Sequence, residues 1–281
     1  MFVMQSTLLK YAGNKRKVMP HINPYLGDWK GVKRYVEPFA GALGSALNAS
    51  VPDGVEIVLS DANRDIIELY EEVARDPKDV QDLANSWSGC EADYYSIRAW
   101  DRDPMWPNSK TKLERAARTL YLNKRGFNGL YRSNRHGYFT TPWCRNLHPK
   151  PIDVIGHAQF IDFVRARVKL DVRDWKDVVR ECGDADVLYC DPPYVDLKDP
   201  KRDFCGYIGA FGWSEQVMLK DELEAAVGRG ARVVASNSWC DVTLELYTGW
   251  HQVCISAGRH LSAKAESRGK IKELLAWLPG H

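Results

Sequence analysis

The stretch Ala185-Asp-Val-Leu-Tyr-Cys-Asp-Pro-Pro-Tyr194 decides how the rest of the chain is read. Its first six residues make a short apolar run of the kind that fills a strand buried on both faces. Two consecutive prolines then halt it, because proline has no N–H to give to a sheet ladder. The strand therefore ends abruptly in a carboxylate, two rigid residues and an aromatic ring.

On either side of this stretch, strand and helix patterns alternate. Strands are predicted over Val32 to Val36 and Val55 to Leu59, with a glycine-bearing turn and a helical stretch, Leu43 to Ala49, between them. Further on come a strand near Ala166 to Leu170 and a helix near Trp175 to Glu181. A helix over Ser214 to Gly228, a strand over Ala231 to Ser236, and strand-like stretches at Gln252 to Ser256 and Ile271 to Leu278 complete the series. Such alternation predicts an α/β fold, a mostly parallel sheet with helices on both faces.

Between residues 64 and 152 the alternation lapses. Amphipathic helices are predicted from Asp65 to Arg75 and from Leu113 to Lys124, separated by a Trp-, Pro- and Asp-rich loop near Trp100 to Ser109. The run Arg125 to Phe139 is rich in glycine, asparagine and aromatics without a sustained period, which suits a loop and hairpin module. The expected organisation is a catalytic domain in two parts, 1–63 and 153–281, with an inserted unit over 64–152.

Composition sets limits. Forty-four per cent hydrophobic and 27 per cent charged residues in 281 is ordinary for a globular chain. No apolar run approaches the roughly 18 residues of a membrane span, and the opening lacks the features of a signal peptide. A cytoplasmic protein without a membrane partner is expected. The seven cysteines are scattered without a C-x-x-C pair, so neither a disulfide framework nor a metal site is expected. Cys190 reads as a buried strand thiol rather than a nucleophile.

The net charge of +2 hides an asymmetry. From Lys110 to Lys150 there are ten Lys or Arg against Glu114 alone, a local +9, so the remainder sums to −7. That is the footprint of nucleic-acid contact, with a solvated basic helix face as the plain alternative.

Three features could carry chemistry. In Tyr35-Val-Glu-Pro-Phe-Ala-Gly-Ala-Leu-Gly-Ser45 a strand runs into Gly41 and Gly44, and glycines in a first β-α turn let a ligand approach the backbone. Asp61 ends the next strand about twenty residues beyond Gly41, where nucleotide-binding folds place an acid against ribose hydroxyls. A full G-x-G-x-x-G is missing, so a tight turn explains the glycines equally well alone, and a dinucleotide is disfavoured. At the tip, an ionised Asp191 and the Pro192 carbonyl are acceptors only, matched to an exocyclic NH₂, while Tyr194 can stack on its ring.

Taken in order, Lys10-Tyr-Ala-Gly-Asn-Lys15, Glu37-Pro-Phe-Ala-Gly-Ala-Leu-Gly-Ser45, a long insert and Asp191-Pro-Pro-Tyr194 resemble the Dam-like (D12 class, alpha group) family of DNA adenine-N6 methyltransferases. The insert carries two more matching runs, Leu122-Asn-Lys-Arg-Gly-Phe-Asn-Gly-Leu-Tyr-Arg132 and Asn134-Arg-His-Gly-Tyr-Phe139. The similarity spans nearly the whole chain, reaching Ser236-Asn237 and Arg268 to Leu275. The resemblance implies a Rossmann-like, seven-stranded sheet that uses S-adenosylmethionine (AdoMet), with a mainly helical inserted target-recognition domain bearing a β-hairpin.

By resemblance Tyr11, Ala12, Lys15, Glu37, Pro38 and Phe39 border the methionine end of AdoMet. Gly41 lies in the glycine turn, Asp61 binds the ribose, and Asp174 with Trp175 flanks the cofactor adenine. Asp191, Pro192 and Tyr194 are the catalytic group. The partner implied is double-stranded DNA whose target adenine is flipped out, and a monomer in solution, with more than one copy able to bind one DNA, is expected. Arg132 matches a guanine-reading arginine, Leu130 and Pro142 lie against thymine methyls, Lys10 contacts the first guanine, and Phe127 with Asn128 enters the stack. Asn134 and Arg145 are candidates for phosphates.

The chain departs from the family in having Phe139-Thr-Thr-Pro-Trp-Cys144 after the hairpin and Phe rather than Tyr at the stack-entering position. GATC is the leading site, and related sites sharing an Arg-read guanine remain open. The rival readings are an amino-methyltransferase for cytosine N4, RNA or a protein amide, a catalytically silent DNA-binding module, and, more distantly, a dehydrogenase.

Overall fold

A computed structural model describes the chain except for residues 1–3, 12, 135, 146–149, 196, 198, 200–210, 259–269 and 281. Seven strands join in one sheet: β1 Arg34–Glu37, β2 Glu56–Asp61, β3 Val168–Val172, β4 Asp186–Cys190, β5 Arg232–Ser238, β6 His251–Gly258 and β7 Lys270–Leu278. The order across it is β3-β2-β1-β4-β5-β7-β6. Strands β1 to β5 pair in parallel, and β7 runs antiparallel between β5 and β6.

All five residues of β4 are buried, as expected for a central strand ending in prolines. Chain order reverses between β1 and β4, so their neighbouring carboxyl ends diverge into the crevice where open α/β sheets bind ligands.

The described helices are α1 Met19–Ile22, α2 Arg64–Arg75, α3 Pro77–Ser86, α4 Glu91–Arg98, α5 Lys112–Arg125, α6 Ala158–Arg167, α7 Trp175–Arg180, α8 Trp213–Gly228 and α9 Asp241–Leu246. Asn63 caps α2 by accepting from the Asp65 N–H, and Ile66, Ile67, Leu69, Tyr70 and Val73 are buried along it. That apolar surface packs on β2, β3 and α6, and α2 also meets α5. Helix α5 starts with a Thr111–Glu114 capping box and is buried almost all round from Ala116 to Asn123, between α2, α3 and α4. No helix among the described residues is long and apolar enough to cross a membrane.

Two local expectations change. The stretch 43–49 holds only a 3₁₀ turn, Ala46–Asn48, because Leu43 takes φ +58°. A Cβ on Gly44 would lie 1.9 Å from Asn14 Oδ1, so the turn is threaded too closely for a helix to start at its first residues. The strand expected near 166 begins at Val168, since α6 continues through Arg167.

Candidate active site

The carboxyl end of β4 delivers Asp191 into the crevice, where Lys15 Nζ lies 2.9 Å from its Oδ1. Lys15 is 3 % exposed, donates to the Gly13 carbonyl at 2.9 Å, and sits 4.7 Å from the centre of the Tyr194 ring. Glu273 on β7 completes the cluster: its Oε2 is 3.8 Å from Lys15 Nζ and accepts from the Tyr194 hydroxyl at 3.1 Å. Burial raises the Asp191 pKa to about 6, opposed by Lys15 and reinforced by Glu273. The Pro193 carbonyl accepts from Gln216 Nε2 at 2.7 Å, and Gln216 Oε1 accepts from Asn237 Nδ2 on β5 at 2.9 Å. No donor reaches the Pro192 carbonyl among the described residues.

Across the crevice, β1 ends at Glu37, which is 1 % exposed. Its two oxygens accept from the Tyr35 and Ser45 hydroxyls, each at 2.5 Å. Burial pushes this carboxyl up to about 8 against the pull of those hydroxyls. Glu37 thus braces the turn from beneath. Gly41, at φ +49°, donates its N–H to Asp61 Oδ2 at 2.9 Å, and the Asn63 N–H reaches Asp61 Oδ1 at 2.8 Å. Tyr70 bonds the Gly41 carbonyl at 2.8 Å, while the Tyr11 ring lies 3.5 Å from where a Gly41 Cβ would stand. Pro38 is buried beside Glu37.

Phe39 and Trp175 stack with ring centres 6.2 Å apart, and Phe211 meets both edge-on. Trp175 is therefore part of an aromatic wall next to the glycine turn and also of the core. Asp174 is exposed and caps α7 by accepting from the Lys176 N–H at 2.9 Å. Ala12 lies outside the described residues.

The loop after α5 forms a second surface. Bridges Gly126↔Trp143 and Ser133↔Phe139 close it as a hairpin without continuous strands. Its exposed side chains include Lys10, Phe127 at 42 %, Asn128, Arg132, Asn134, Pro142 and Arg145, with Leu130 half-buried. Asn128 takes φ +56°, turning the chain at the tip. The Asn134 side-chain oxygen accepts from the His136 and Tyr138 N–H groups at 2.9 and 3.1 Å, which gives it a turn-forming job whatever else it contacts. Held from behind, the hairpin gives backbone carbonyls to Arg98 and Arg102, and the Phe139 N–H donates to Asp101 Oδ2 at 2.7 Å. Asp101 is in turn paired with the buried Arg118 at 2.7 Å.

The basic run of residues 110–150 therefore splits in two. Lys110 pairs with Glu114, Arg118 with Asp101, Lys112 and Arg115 with Glu71 and Glu68 of α2, and Lys124 donates to the Leu8 carbonyl. Arg132, Arg145 and Lys150 are exposed. A one-dimensional charge count could not see this, because Lys112, Arg115, Arg118 and Lys124 have partners brought in by folding. Glu273 and Asn123 were also missed. The available signal for Glu273 was its place in the matching run Arg268 to Leu275, just before the apolar part of the last strand.

Residues 11–260 match the model of the D12 class N6 adenine-specific DNA methyltransferases. Over 270 residues the chain is 32 % identical to the type II methyltransferase M1.LlaDCHI of Lactococcus lactis subsp. cremoris, covering 95 % of this chain and 93 % of that protein. It is 32 % identical to the DNA adenine methylase of Escherichia coli strain K12, over 97 % of this chain and 95 % of the other. With the DNA adenine methylase of Vibrio cholerae it shares 30 % identity over 99 % and 97 % of the two chains. Fold, crevice and these whole-length likenesses agree: the chain belongs to the D12 class of N6 adenine-specific DNA methyltransferases.

Proposed function

We propose that the protein transfers the methyl group of AdoMet to N6 of one adenine flipped out of double-stranded DNA at a short specific site, with GATC as the leading sequence. The observation that carries this reading is the acid Asp191 at the tip of the central strand. It is flanked by Tyr194 and the Pro192 carbonyl, which no donor among the described residues reaches, and it lies at the switch point beside the Gly41–Asp61 turn. The unit 64–152 is the DNA-reading part, resting on the catalytic sheet through α2.

The residues present fit AdoMet. The methionine end carries both charges, and the crevice holds Lys15 as a cation with Asp191 and Glu273 as anions, bordered by Tyr11, Glu37 and Pro38. Asp61 is fixed by two backbone N–H groups with room left to accept from a diol, and Phe39 with Trp175 offers a wall for a purine. When bound, AdoMet supplies an electrophilic methyl on a sulfonium. The chain's own work is then to bind, orient and place charge. Asp191 and the Pro192 carbonyl accept from the adenine amino group, which opposes delocalisation of its lone pair into the ring. Tyr194, fixed at its hydroxyl by Glu273, holds the ring face. Phe127 and Asn128 fill the space left in the duplex, and Arg132 and Lys10 read guanines, with Leu130 and Pro142 against thymine methyls. Arg145 and Asn134 meet phosphates.

Expression in a host without adenine methylation, followed by long-read sequencing, tests base, position and motif together. N6-methyladenine within one short motif is expected. Methyl on cytosine N4, or none on DNA, would refute the reading, and active enzyme with GATC left unmethylated would reject that site alone.

A further inference from the structure

Asn123, near the end of α5, is 1 % exposed and uses its whole carboxamide on two segments, one distant in the chain and one six residues on. Its Oδ1 accepts from the Lys10 N–H at 3.1 Å, and its Nδ2 donates to the Lys10 carbonyl at 2.7 Å and to the Gly129 carbonyl at 2.9 Å. One residue along, Lys124 Nζ donates to the Leu8 carbonyl at 2.6 Å. Gly129 stands at φ +63°, and a Cβ there would lie 2.6 Å from the Lys10 Cβ, so the tip loop packs directly on the Lys10 side-chain stem. The two segments share one joint.

What lies at the ends of that joint gives it meaning. From Lys10 the chain runs only five residues to Lys15, whose ammonium holds Asp191. From Gly129 it runs back to Phe127 and Asn128, and forward through Leu130 and Tyr131 to Arg132. Tyr131 itself bonds Asp65 Oδ2 at 2.7 Å and lies 6.3 Å, centre to centre, from Tyr11 in the same segment. The described residues 8–11 and 13–15 thus form a strap with the exposed DNA surface at one end and the catalytic carboxylate at the other, fastened where the loop seats.

We infer that Asn123 is a positioning residue through which seating of the tip loop on DNA sets the register of the Lys10–Lys15 strap, making methyl transfer conditional on the correct sequence. This rests on the reading under Proposed function. A rigid amide with an acceptor and two donors suits the task, because it fixes both the N–H and the C=O of Lys10 relative to Gly129, and no hydroxyl or aliphatic side chain can satisfy all three groups. With the joint loosened, mismatched and matched loops deliver the strap about equally well.

The test uses the full chain and the site defined by sequencing. kcat/KM for tritiated methyl transfer is measured on duplexes carrying that site or a single-base variant of it, for the wild type, Asn123→Ala and Gly129→Ala. Gly129→Ala retains every Asn123 hydrogen-bonding group while forcing the joint open, so it decides the matter alone if Asn123→Ala fails to fold. At least a tenfold fall in the ratio of correct to variant site is expected for each folded variant, with AdoMet binding measured without DNA within twofold of the wild type. An equal fall on both duplexes, which a merely structural role would give, or an unchanged ratio, overturns the inference. A wild type that leaves adenine unmethylated overturns the proposed function instead.

Discussion

The two functional regions are built on opposite principles. In the crevice the charged groups are buried and satisfy one another, as Lys15 does Asp191 and Glu273, while on the hairpin the proposed readers face solvent and the charges that matter structurally stand behind them. Arg98, Arg102 and Arg118 hold the hairpin by its carbonyls and by Asp101, leaving Arg132 and Arg145 exposed. Chemistry on a fixed atom rewards a preorganised site, whereas a surface that must meet a duplex needs its side chains unspent and its backbone fixed. Arginine fills both roles within one insert, and only its partners tell them apart.

The sharpest way to break this contrast is at the tip. Asp191→Ala should lower methyl transfer by about a thousandfold, on the order of what a transition-state contact supplies, with AdoMet binding by calorimetry weakened far less, because Lys15 and Glu273 remain in the crevice. An active variant would sink the catalytic assignment. Next, Arg118→Met strips the buried partner from Asp101 Oδ2, leaving only the half-buried Arg102 on Oδ1, and should cost roughly 3 kcal/mol of stability, read by urea unfolding. A loss near zero would mean the hairpin is not held from behind. Arg132→Ala should weaken specific binding by about 2 kcal/mol and relax the site at one base pair, without altering stability. Uniform weakening on all sequences would demote Arg132 to a phosphate contact.

The smallest effect concerns Glu37. Its pKa is about 8 in the folded chain against a usual 4.5, so the folded state binds more protons across that window, and its contribution to stability is lost as pH rises from about 4.5 to about 8. Glu37→Gln, which mimics the neutral carboxyl, should flatten the fall in melting temperature between pH 5 and pH 8. An unchanged slope would show that Glu37 is not the group responsible.

Much of the fold was legible because it depends on local pattern. The apolar run 185–190, the prolines after it and the regular strand spacing point to a central parallel strand, and the seven-stranded sheet follows that reading. The glycine turn was legible as a turn but not in its detail, since Leu43 at positive φ and the approach of Asn14 to Gly44 are decided by packing. In the site, Asp191 and Tyr194 announced themselves through their sequence setting. Glu273 and Asn123 did not, because their partners lie 79 and 113 residues away and a side chain's long-range hydrogen bonds leave no mark on periodicity. The same blindness explains the basic run, in which Lys112, Arg115 and Arg118 are paired with acids on other elements.

The amide chain from Asn237 through Gln216 to Pro193 carries one more consequence. With Pro193 already supplied with a donor, the tip offers an incoming primary amine two acceptors, the Asp191 carboxylate and the Pro192 carbonyl, matched to its two N–H bonds. Once a methyl has replaced one of those hydrogens, a single N–H remains for two acceptors, so under the proposed reaction the site holds its product less well than its substrate. Discharge of the finished base is thus written into the acceptor count of the tetrapeptide.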